Sequence, residues 1–390
     1  MEKIYIHNID IVTGYEVIRN GSLMLDEGLI AGVFRQPVPV PDGMKVVDGQ
    51  GCIAVPGFID VHCHGGNGFD TNDGTVEAID GLASYHLQHG VTSVYPTLST
   101  DSFDRLLNGL DAVRLSMTRN MPGRPEIMGA HLEGPFLNTK YKGSQAGKYF
   151  LSLNDDYLSA IEKYKDVIRR ITIAPEIVGL EYIRLLCRMG MVVSGGHSDA
   201  TCQQVREAAD AGMSSLTHLF NAMSQVHKEG PFRVCGMVEA GLTSDSLYAE
   251  VIADGYHVPV PLMQIAYRCK GAGRLMICSD ANMASGGQEG NTFQVYGQTY
   301  VIENGVALNA ARTSLAGSVM SLDAMFRNLV LSADIPVTDA VKMASTTPAK
   351  MMNIDDRKGS VAIGKDADII LLSAGYQIQK VFCRGVPIDH

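Results

Sequence analysis

The chain lacks tryptophan, CxxC cysteine pairs, an excess of basic residues and any apolar run long enough to span a membrane. The formal net charge of -10 at pH 7 argues against a nucleic-acid-binding protein, which would normally carry a basic surface. No basic start is followed by an apolar segment, so we expect neither export nor membrane insertion and place the protein in the cytoplasm. The eight cysteines, spread from Cys52 to Cys383, fit reduced thiols in the core better than a disulfide framework or a zinc ribbon.

Nucleotide-binding signatures are also missing. Neither a P-loop nor a GxGxxG stands in a strand-turn-helix context, so no nucleotide cofactor is expected. What the chain does have is an ordinary globular composition, with 46% apolar and 19% charged residues over 390 positions. That length suffices for a large core and for more than one domain.

Short, alternating apolar runs occupy both ends of the chain, and each set is too small to fold alone. We therefore expect residues 1–55 and 358–390 to pair as one small β-sandwich domain, with residues 56–357 inserted between them. A proline-rich connector is expected at residues 37–43. Hairpin turns of an antiparallel unit are predicted where the first run is interrupted, at Gly14, Asn20-Gly21 and Glu27-Gly28.

The middle of the chain alternates strand-like and helix-like stretches. Strands are predicted at residues 58–62, 92–97, 127–133, 170–175, 192–197, 214–218, 248–253 and 275–279. Helical periodicity lies between several of them, at residues 76–89, 102–119, 180–189 and 202–211. This alternation predicts an α/β protein with a (β/α)8 TIM-like barrel, whose active site would lie at the carboxyl ends of the strands.

His62 and His64 stand at the end of the first predicted strand, in PGFIDVHCHGG. Strand alternation sends both imidazoles to one face and Cys63 to the other, where packing is expected. Neutral imidazole is a favoured ligand of zinc and its first-row neighbours. The motif alone fits a metal site and a polar strand end equally well.

Other predicted strands also end in residues that can carry chemistry. A single histidine is more often structural, but together these residues predict a hydrolytic metal site at the barrel mouth. Asp280 is the candidate for proton transfer, against the alternative of a helix N-cap. His131 lies one layer deeper, as expected of a packed or hydrogen-bonded residue. The strand-end residues are Glu133, His197, His218, His257 and Asp280.

The segments PGFIDVHCHG, HLEGPF, GGHSDA, THLFNAM, DGYH, SDA and LAGS together resemble the motif set of the N-acetylglucosamine-6-phosphate deacetylases, in the amidohydrolase superfamily. The resemblance spans nearly the whole chain and implies a homodimer of metal-bearing barrels. It implies Glu133, His197 and His218 as principal metal ligands, and His62 and His64 as the pair that adds a second ion in some members. One or two divalent ions per chain are thus expected, zinc first, with iron, cobalt, manganese and nickel as alternatives.

The resemblance also implies the reaction. A metal-activated hydroxide would attack the acetyl group of an N-acetylhexosamine 6-phosphate, and Asp280 would protonate the departing amine to give acetate and the hexosamine 6-phosphate. Asn221 and Ala222 match positions whose backbone amides hold the sugar phosphate, and His257 matches a histidine that contacts the sugar. We expect the glucosamine form ahead of the galactosamine form.

Two loops depart from the family's pattern. Members typically show KGAH in the first loop, with a histidine near the substrate carbonyl. This chain has Gln145 at the position of that histidine. Glutamine can donate a hydrogen bond but carries no positive charge. Members usually carry REPG, whose arginine binds phosphate from the neighbouring subunit; here the arginine is displaced to Arg233. Arg233, with Lys228 or His227, can still supply that charge, although ordinary loop charges are the alternative.

These departures leave other functions open. One is a different amide hydrolase of the same superfamily, acting for example on an N-acyl amino acid. Such enzymes often use a carboxylated lysine as the metal bridge, where this chain has Glu133. The other is a catalytically inactive barrel kept as a binding scaffold. Such a protein would be expected to have lost metal-ligand residues, whereas each ligand position of this chain carries a histidine or a glutamate.

Overall fold

The structure is a computed structural model that describes residues 2–36, 38–40, 42–295 and 298–388. Within these ranges the chain forms a nearly closed barrel of eight parallel strands and a separate, mostly-sheet domain built from both chain ends. The prediction of a (β/α)8 TIM-like barrel with a small domain from the chain ends is confirmed. The predicted proline-rich connector lies partly outside the described residues, at Pro37 and Pro41.

The barrel strands follow one another around the sheet in chain order. In that order they are Phe58–Cys63, Val91–Ser99, Ala130–Glu133, Ile168–Ile173, Val192–Gly195, Ser215–Leu216, Tyr248–Val251 and Leu275–Ile277. The prediction of one strand over residues 127–133 is wrong, because Glu126–Ile127 and Ala130–Glu133 are separate strands. Gly129 between them has φ 127°, and a Cβ there would lie 2.6 Å from the carbonyl oxygen of Val167, so the backbone turns where no side chain fits.

The first and last barrel strands meet just beyond their carboxyl ends. The Asp280 amide donates to the carbonyl of His62 at 2.9 Å, and Cys63 and Ala281 form a parallel bridge. Two of the predicted site segments are therefore direct neighbours in space.

Helices cover the outside of the barrel, and the four predicted helices are found within a few residues of their predicted bounds. Thr75 and Thr201 cap two of them by accepting hydrogen bonds from Ala78 and Gln204 amides. The α-helices are Val76–Gln88, Phe103–Met117, Asp155–Glu162, Leu180–Arg188, Cys202–Asp210, Met237–Thr243, Val260–Lys270, Leu322–Arg327, Val337–Val341 and Thr347–Met351. The 3₁₀ turns are Thr71–Asp73, Thr139–Tyr141 and Gly147–Tyr149, and the π-helical segments are Asn328–Ser332 and Lys342–Thr346. Of the described helices, none combines the length and the apolar character needed to cross a membrane.

The small domain is one continuous hydrogen-bonded sheet. Its strands are Ile4–Val12, Val17–Asp26, Leu29–Phe34, Lys45–Pro56, Ile369–Leu372, Ile378–Cys383 and Val386–Ile388. The expectation of a purely antiparallel unit is wrong, since the first and fourth of these strands run parallel. Asn20-Gly21 lies at an irregularity inside the second strand and not at a turn, whereas Glu27 and Gly28 form the predicted tight turn with φ 50° and 81°.

The sheet and the barrel join where the chain passes between them. The Gly57 amide donates to the carbonyl of Asp368 at 2.8 Å, which ties the start of the barrel to the last part of the chain. The domain boundaries at 55/56 and 357/358 stay predictions.

Among the described residues, three small β elements lie outside these two sheets. They are the hairpin of Gly65–Gly66 and Phe69–Asp70, the hairpin of His227–Glu229 and Phe232–Val234, and the three-stranded sheet of Thr292–Val295, Gln298–Glu303 and Val306–Asn309. The last contributes Val295 to the cavity described below.

Candidate metal centre and active site

Three of the predicted site residues lie in loops just after their strands, and not within them. His197, His218 and Asp280 have φ values of 49°, 32° and 44°, in the left-handed region that non-glycine residues seldom adopt. The predicted strands included His197 and His218 and stopped one residue before Asp280, whereas the observed strands end at Gly195, Leu216 and Ile277. All three side chains line one cavity of about 280 Å³ at the barrel mouth. Such strain is concentrated at functional sites.

Glu133 is at the centre of a first group of donors. Its Oε1 lies 3.2 Å from Nε2 of His197 and 3.1 Å from Nε2 of His218, and the two Nε2 atoms are 3.1 Å apart. The strand that ends at Glu133 delivers this carboxylate to the mouth, and the chain turns immediately after it at Gly134, which has a positive φ.

A second group shares Glu133 with the first. His62 and His64 bring their Nε2 atoms within 3.1 Å of each other, and Glu133 Oε2 lies 3.2 Å from that of His64. Asp280 Oδ1 is 3.3 Å from Nε2 of His62 and 3.2 Å from Nε2 of His64. Glu133 therefore stands between two sets of imidazoles, one on each side.

The other ring nitrogens show which tautomers these histidines take. Nδ1 of His62 contacts Glu250 Oε1 at 2.8 Å, Nδ1 of His197 contacts the Tyr141 carbonyl at 2.8 Å, and Nδ1 of His64 contacts the Thr97 carbonyl at 3.2 Å. Carbonyl and carboxylate oxygens only accept, so each Nδ1 donates to its partner, and with a metal ion bound each Nε2 would present its lone pair to the centre. Hydrogen bonding of this kind orients imidazole ligands of metals.

The electrostatics of the pocket favour positive charge at its centre. Burial lowers the pKa of His64, but contacts with Asp280 and Glu133 outweigh it and raise the pKa to about 9. Burial raises the pKa of Glu133, but the facing imidazoles of His62 and His197 hold it well below its usual range. Lone pairs and carboxylates crowded within about 3 Å repel one another unless a cation or protons lie between them. The donor set thus fits one or two divalent ions, with Glu133, His197 and His218 as one set and His62, His64 and Glu133 as the other.

His131 takes no part in this donor set. Its ring nitrogens contact the hydroxyls of Thr97 at 3.2 Å and Thr172 at 2.7 Å, and burial together with the charge of Arg170 holds its pKa well below the usual range. It is a neutral, buried residue, as its position one layer deeper predicted. Cys63 likewise faces away, with its Sγ 3.0 Å from Nε2 of His86.

Gln145, predicted to contact substrate, lines the cavity and is nearly fully buried. Its Oε1 accepts from the Thr100 amide at 2.8 Å, which directs the Nε2 group towards Glu133, to whose Oε2 it donates a hydrogen bond. An amide group has two N–H bonds, so one remains for a substrate.

Asn221, Ala222 and His257 also line the cavity. The backbone amide of Asn221 is already engaged, since it donates to the His218 carbonyl at 2.9 Å. His257 Nδ1 contacts Asp254 Oδ2 at 2.6 Å, which leaves Nε2 as the ring nitrogen for a ligand.

Arg233 lies elsewhere. It is exposed in the hairpin of His227–Glu229 and Phe232–Val234, directly across from Lys228, and the described residues that line the cavity do not include it. Within one chain, therefore, the cavity and the predicted phosphate-binding arginine are not brought together.

Sequence reasoning missed the polar residues that support the site. Glu250 and Arg170 are fully buried and hydrogen-bonded to each other, and Ser99 Oγ lies 2.7 Å from Nδ1 of His64. Asp254 supports His257. The available signal was a charged residue inside an apolar strand-like run, as in YAEVIA and VIRRITI.

An α/β barrel with imidazoles and carboxylates at the carboxyl ends of its strands defines the class of metal-dependent barrel hydrolases. Residues 53–388 match the profile of the amidohydrolase family. The chain belongs to this family, and within it to the N-acetylglucosamine-6-phosphate deacetylase group.

Relatives cover almost the whole chain. It is 32% identical to an N-acetylglucosamine-6-phosphate deacetylase of Bacillus subtilis (strain 168), over 98% of this chain and 96% of that protein. It is 34% identical to an N-acetylgalactosamine-6-phosphate deacetylase of Escherichia coli O157:H7, over 93% of each. The crystal structure of N-acetylglucosamine-6-phosphate deacetylase from Pasteurella multocida superimposes over 100% of both chains, with a TM-score of 0.93 and 28% identity.

Proposed function

We propose that the protein hydrolyses the acetamide of an N-acetylhexosamine 6-phosphate, first of all N-acetylglucosamine 6-phosphate, to acetate and the hexosamine 6-phosphate. The observation that carries the proposal is the convergence of four imidazole Nε2 atoms on Glu133 beside Asp280, in a cavity at the barrel mouth. The names of the relatives supply the substrate class.

The metal site follows from the donor set. Glu133, His197 and His218 would hold one ion, and His62 and His64 would hold a second, with Glu133 shared. Zinc is the first candidate, because imidazole and carboxylate suit it, and iron, cobalt, manganese and nickel are the alternatives. A divalent metal bound here would lower the pKa of water and polarise the acetyl carbonyl.

Asp280 is the proposed proton-transfer residue. Its carboxylate lines the cavity beside the imidazoles, where it can accept a proton from the attacking water as the new C–O bond forms. The same proton then passes to the amine nitrogen as the C–N bond breaks, which releases acetate and the free amine. Proton transfer of this kind contributes about 10²- to 10⁴-fold to a rate.

Two other cavity residues are proposed to orient the acetylated sugar. The free N–H of Gln145 can donate to the acetyl oxygen, and its other N–H keeps Glu133 in place. His257, oriented by Asp254, can contact a sugar hydroxyl through Nε2. Ala222, with Asn221, is proposed to hold the phosphate end, with Ala222 offering the backbone amide since that of Asn221 is engaged.

A homodimer would explain the position of Arg233. The hairpin that carries it is exposed, and a second copy of the chain could receive its arginine at the phosphate end of the cavity. A guanidinium suits phosphate because it can donate two parallel hydrogen bonds. We further propose a cytoplasmic location, as expected for an enzyme acting on a phosphorylated sugar.

The test is a substrate panel with metal-replete enzyme. Acetate release is measured as kcat/KM on N-acetylglucosamine 6-phosphate, its galactosamine epimer, unphosphorylated N-acetylglucosamine and a set of N-acyl amino acids. The proposal expects the phosphorylated glucosamine to be the best substrate. If the galactosamine epimer is preferred, the sugar changes and the chemistry stands; if only N-acyl amino acids are hydrolysed, the altered loops at Gln145 and Arg233 have changed the substrate and the proposal fails.

A further inference from the structure

A buried ion pair lies directly beneath the candidate metal centre and has no role in the chemistry above. Arg170, on the fourth barrel strand, donates through Nη1 to Glu250 Oε2 at 2.6 Å, and Glu250 lies on the seventh strand. Both side chains are 0% exposed. A buried pair is seldom a gain in stability over apolar residues of the same size, so its presence calls for another explanation.

The second oxygen of Glu250 touches both groups of donors. Oε1 lies 2.8 Å from Nδ1 of His62 and 3.0 Å from the backbone amide of His218. His62 belongs to one group and His218 to the other. The backbone of His218 is left-handed, with φ 32°, which is unfavourable for a non-glycine residue. The hydrogen bond from its amide to Glu250 stabilises that conformation.

We propose that Glu250 is a positioning residue that fixes His62 as a metal ligand, and that the Arg170–Glu250 pair thereby equips this chain to hold a second ion at His62 and His64. An ionised carboxylate can only accept, so the proton of His62 is kept on Nδ1 and the Nε2 lone pair faces the centre. The inference rests on the proposed metal site and is independent of which sugar is the substrate.

Arg170 decides which oxygen of Glu250 is available. Besides Glu250, its guanidinium donates to the Val61 carbonyl at 3.2 Å and to the hydroxyls of Ser194 at 3.0 Å and Thr217 at 3.3 Å. These contacts, from the first and fifth strands and from the residue that follows the sixth, hold it in one place. Glu250 Oε2 is thus occupied by arginine, and Oε1 remains for His62 and His218.

The variant Glu250→Gln tests the hydrogen-bond direction with little change in volume. An amide has one accepting oxygen and one donating NH2 group, whereas Arg170 on one side and His62 with His218 on the other all donate. If the amide oxygen faces Arg170, the NH2 group faces His62, favours its other tautomer and removes the Nε2 lone pair. If the oxygen faces His62, two donors clash at Arg170.

The double variant Arg170→Met, Glu250→Gln is the matched rescue. Without the guanidinium, the amide NH2 can turn towards the oxygens of Val61, Ser194 and Thr217, which Arg170 had occupied, and the amide oxygen can accept from His62 again. A purely structural pair would also regain stability in the double variant, because the unpaired guanidinium is removed, but it would leave the number of bound ions unchanged in every folded variant.

The measurement is the number of zinc ions per full-length chain after equilibrium dialysis against Zn²⁺, determined by elemental analysis of folded, monodisperse protein. Asp323→Asn, which alters a buried carboxylate away from the cavity, is the control and should match the wild type. We expect two ions for the wild type, one for Glu250→Gln and two for the double variant. If the single variant does not fold, Arg170→Met, Glu250→Leu replaces it, because it removes the pair and leaves His62 without an acceptor; one ion supports the proposal and two overturn it.

Other results overturn it. They are a wild type with one ion, a Glu250→Gln variant that keeps two, and an Arg170→Met, Glu250→Gln variant that binds one ion or does not fold. Because the count needs no substrate, it separates this inference from the proposed function: two ions with no acetate release on any sugar phosphate would reject the function and leave the role of Glu250 standing.

Discussion

Asp280 Oδ1 lies 3.2 Å from Nε2 of His64, so the proposed proton-transfer residue touches a proposed metal ligand. The two come from opposite ends of the barrel domain, 216 positions apart in the printed sequence, and meet because the first and eighth strands are neighbours. This contact places the proton acceptor where an attacking water would be generated.

The variant Asp280→Asn keeps the shape of the side chain and removes its basicity. We expect kcat on N-acetylglucosamine 6-phosphate to fall by about 10²- to 10⁴-fold, because the attacking water and the leaving amine lose their proton carrier. The measurement is kcat at saturating substrate together with metal content. Asp334→Asn, an exposed loop position, is the control; a kcat for Asp280→Asn within threefold of that control would contradict the assignment.

The variant Arg233→Ala tests the phosphate contact. Losing a hydrogen bond to a charged group costs about 1.5–3 kcal/mol, so KM for the phosphorylated sugar should rise about 10- to 100-fold with little change in kcat. KM for unphosphorylated N-acetylglucosamine should not move. Arg312→Ala removes an exposed arginine from a different loop and serves as the control. Equal KM values for the Arg233 and Arg312 variants would reject the role of Arg233.

Mixing two damaged variants tests whether Arg233 serves a second copy of the chain. If it does, a mixed dimer of Arg233→Ala and Asp280→Asn contains one site with both residues intact, so activity at low substrate should exceed that of either parent. The measurement is kcat/KM before and after the subunits are exchanged, with mixed dimers verified by differential tagging. Mixed dimers without any gain would assign the arginine to its own subunit or to no site.

Lys358 is predicted to hold the two domains together. Its Nζ lies 2.9 Å from Glu126, 2.9 Å from Asp366 and 2.7 Å from Asp368, and the residue is nearly fully buried. Lys358→Met should lower the free energy of unfolding by about 3–5 kcal/mol. The three carboxylates would lose the ammonium group between them, and the half-exposed guanidinium of Arg357 would be the cation left beside them. Arg357→Met, at a 44% exposed side chain, should cost about 1 kcal/mol or less. Chemical denaturation measures both, and equal losses would contradict the account.

Asp323 should make folding sensitive to acid. Burial raises its pKa, but hydrogen bonds with His89, Ser321 and Arg327 lower it to about 2, from an ordinary value of 3.8. A folded pKa below the unfolded one adds stability that is complete above about pH 4 and is lost as the pH falls towards 2. The contribution is about 2 kcal/mol at neutral pH.

The measurement for Asp323 is the free energy of unfolding of wild type and Asp323→Asn between pH 7 and pH 3. The difference between them should be largest at neutral pH and should shrink as the pH falls below 4. The same comparison for Asp334→Asn should show no such trend. A difference that stays constant or grows towards pH 3 would show that Asp323 is not held ionised in the fold.

The sequence predicted much of the barrel and the donor set because strand period and strand-end chemistry are local signals. His62, His64, Glu133 and Asp280 each follow a run of β-forming residues, and parallel strands must end at one edge of the barrel. Where strands stop was harder to predict. His197 and His218 are the last residues of their predicted strands, yet their backbones turn left-handed, which non-glycine residues seldom do.

The supporting residues could not be predicted because their partners are distant in sequence. Glu250 and Arg170 are 80 positions apart and pair only once the strands between them are in place. The role proposed for Arg233 shows a different limit, since a residue that served a neighbouring copy would lie away from the cavity of its own chain. The first and fourth strands of the small domain pair in parallel. The alternation of apolar and polar residues predicts that each is a strand, but it does not predict which strands pair or in which direction.

The central claim is that a divalent metal held by Glu133, His197 and His218 makes this protein a deacetylase of a phosphorylated amino sugar. The most direct measurement is acetate release from N-acetylglucosamine 6-phosphate by chelator-stripped enzyme, titrated with Zn²⁺ while bound metal is counted. We predict that the stripped enzyme is inactive and that activity returns in proportion to bound zinc, whereas a Glu133→Ala variant stays inactive. Full activity without metal, or no activity with zinc or any of the alternative metals bound, would contradict the account.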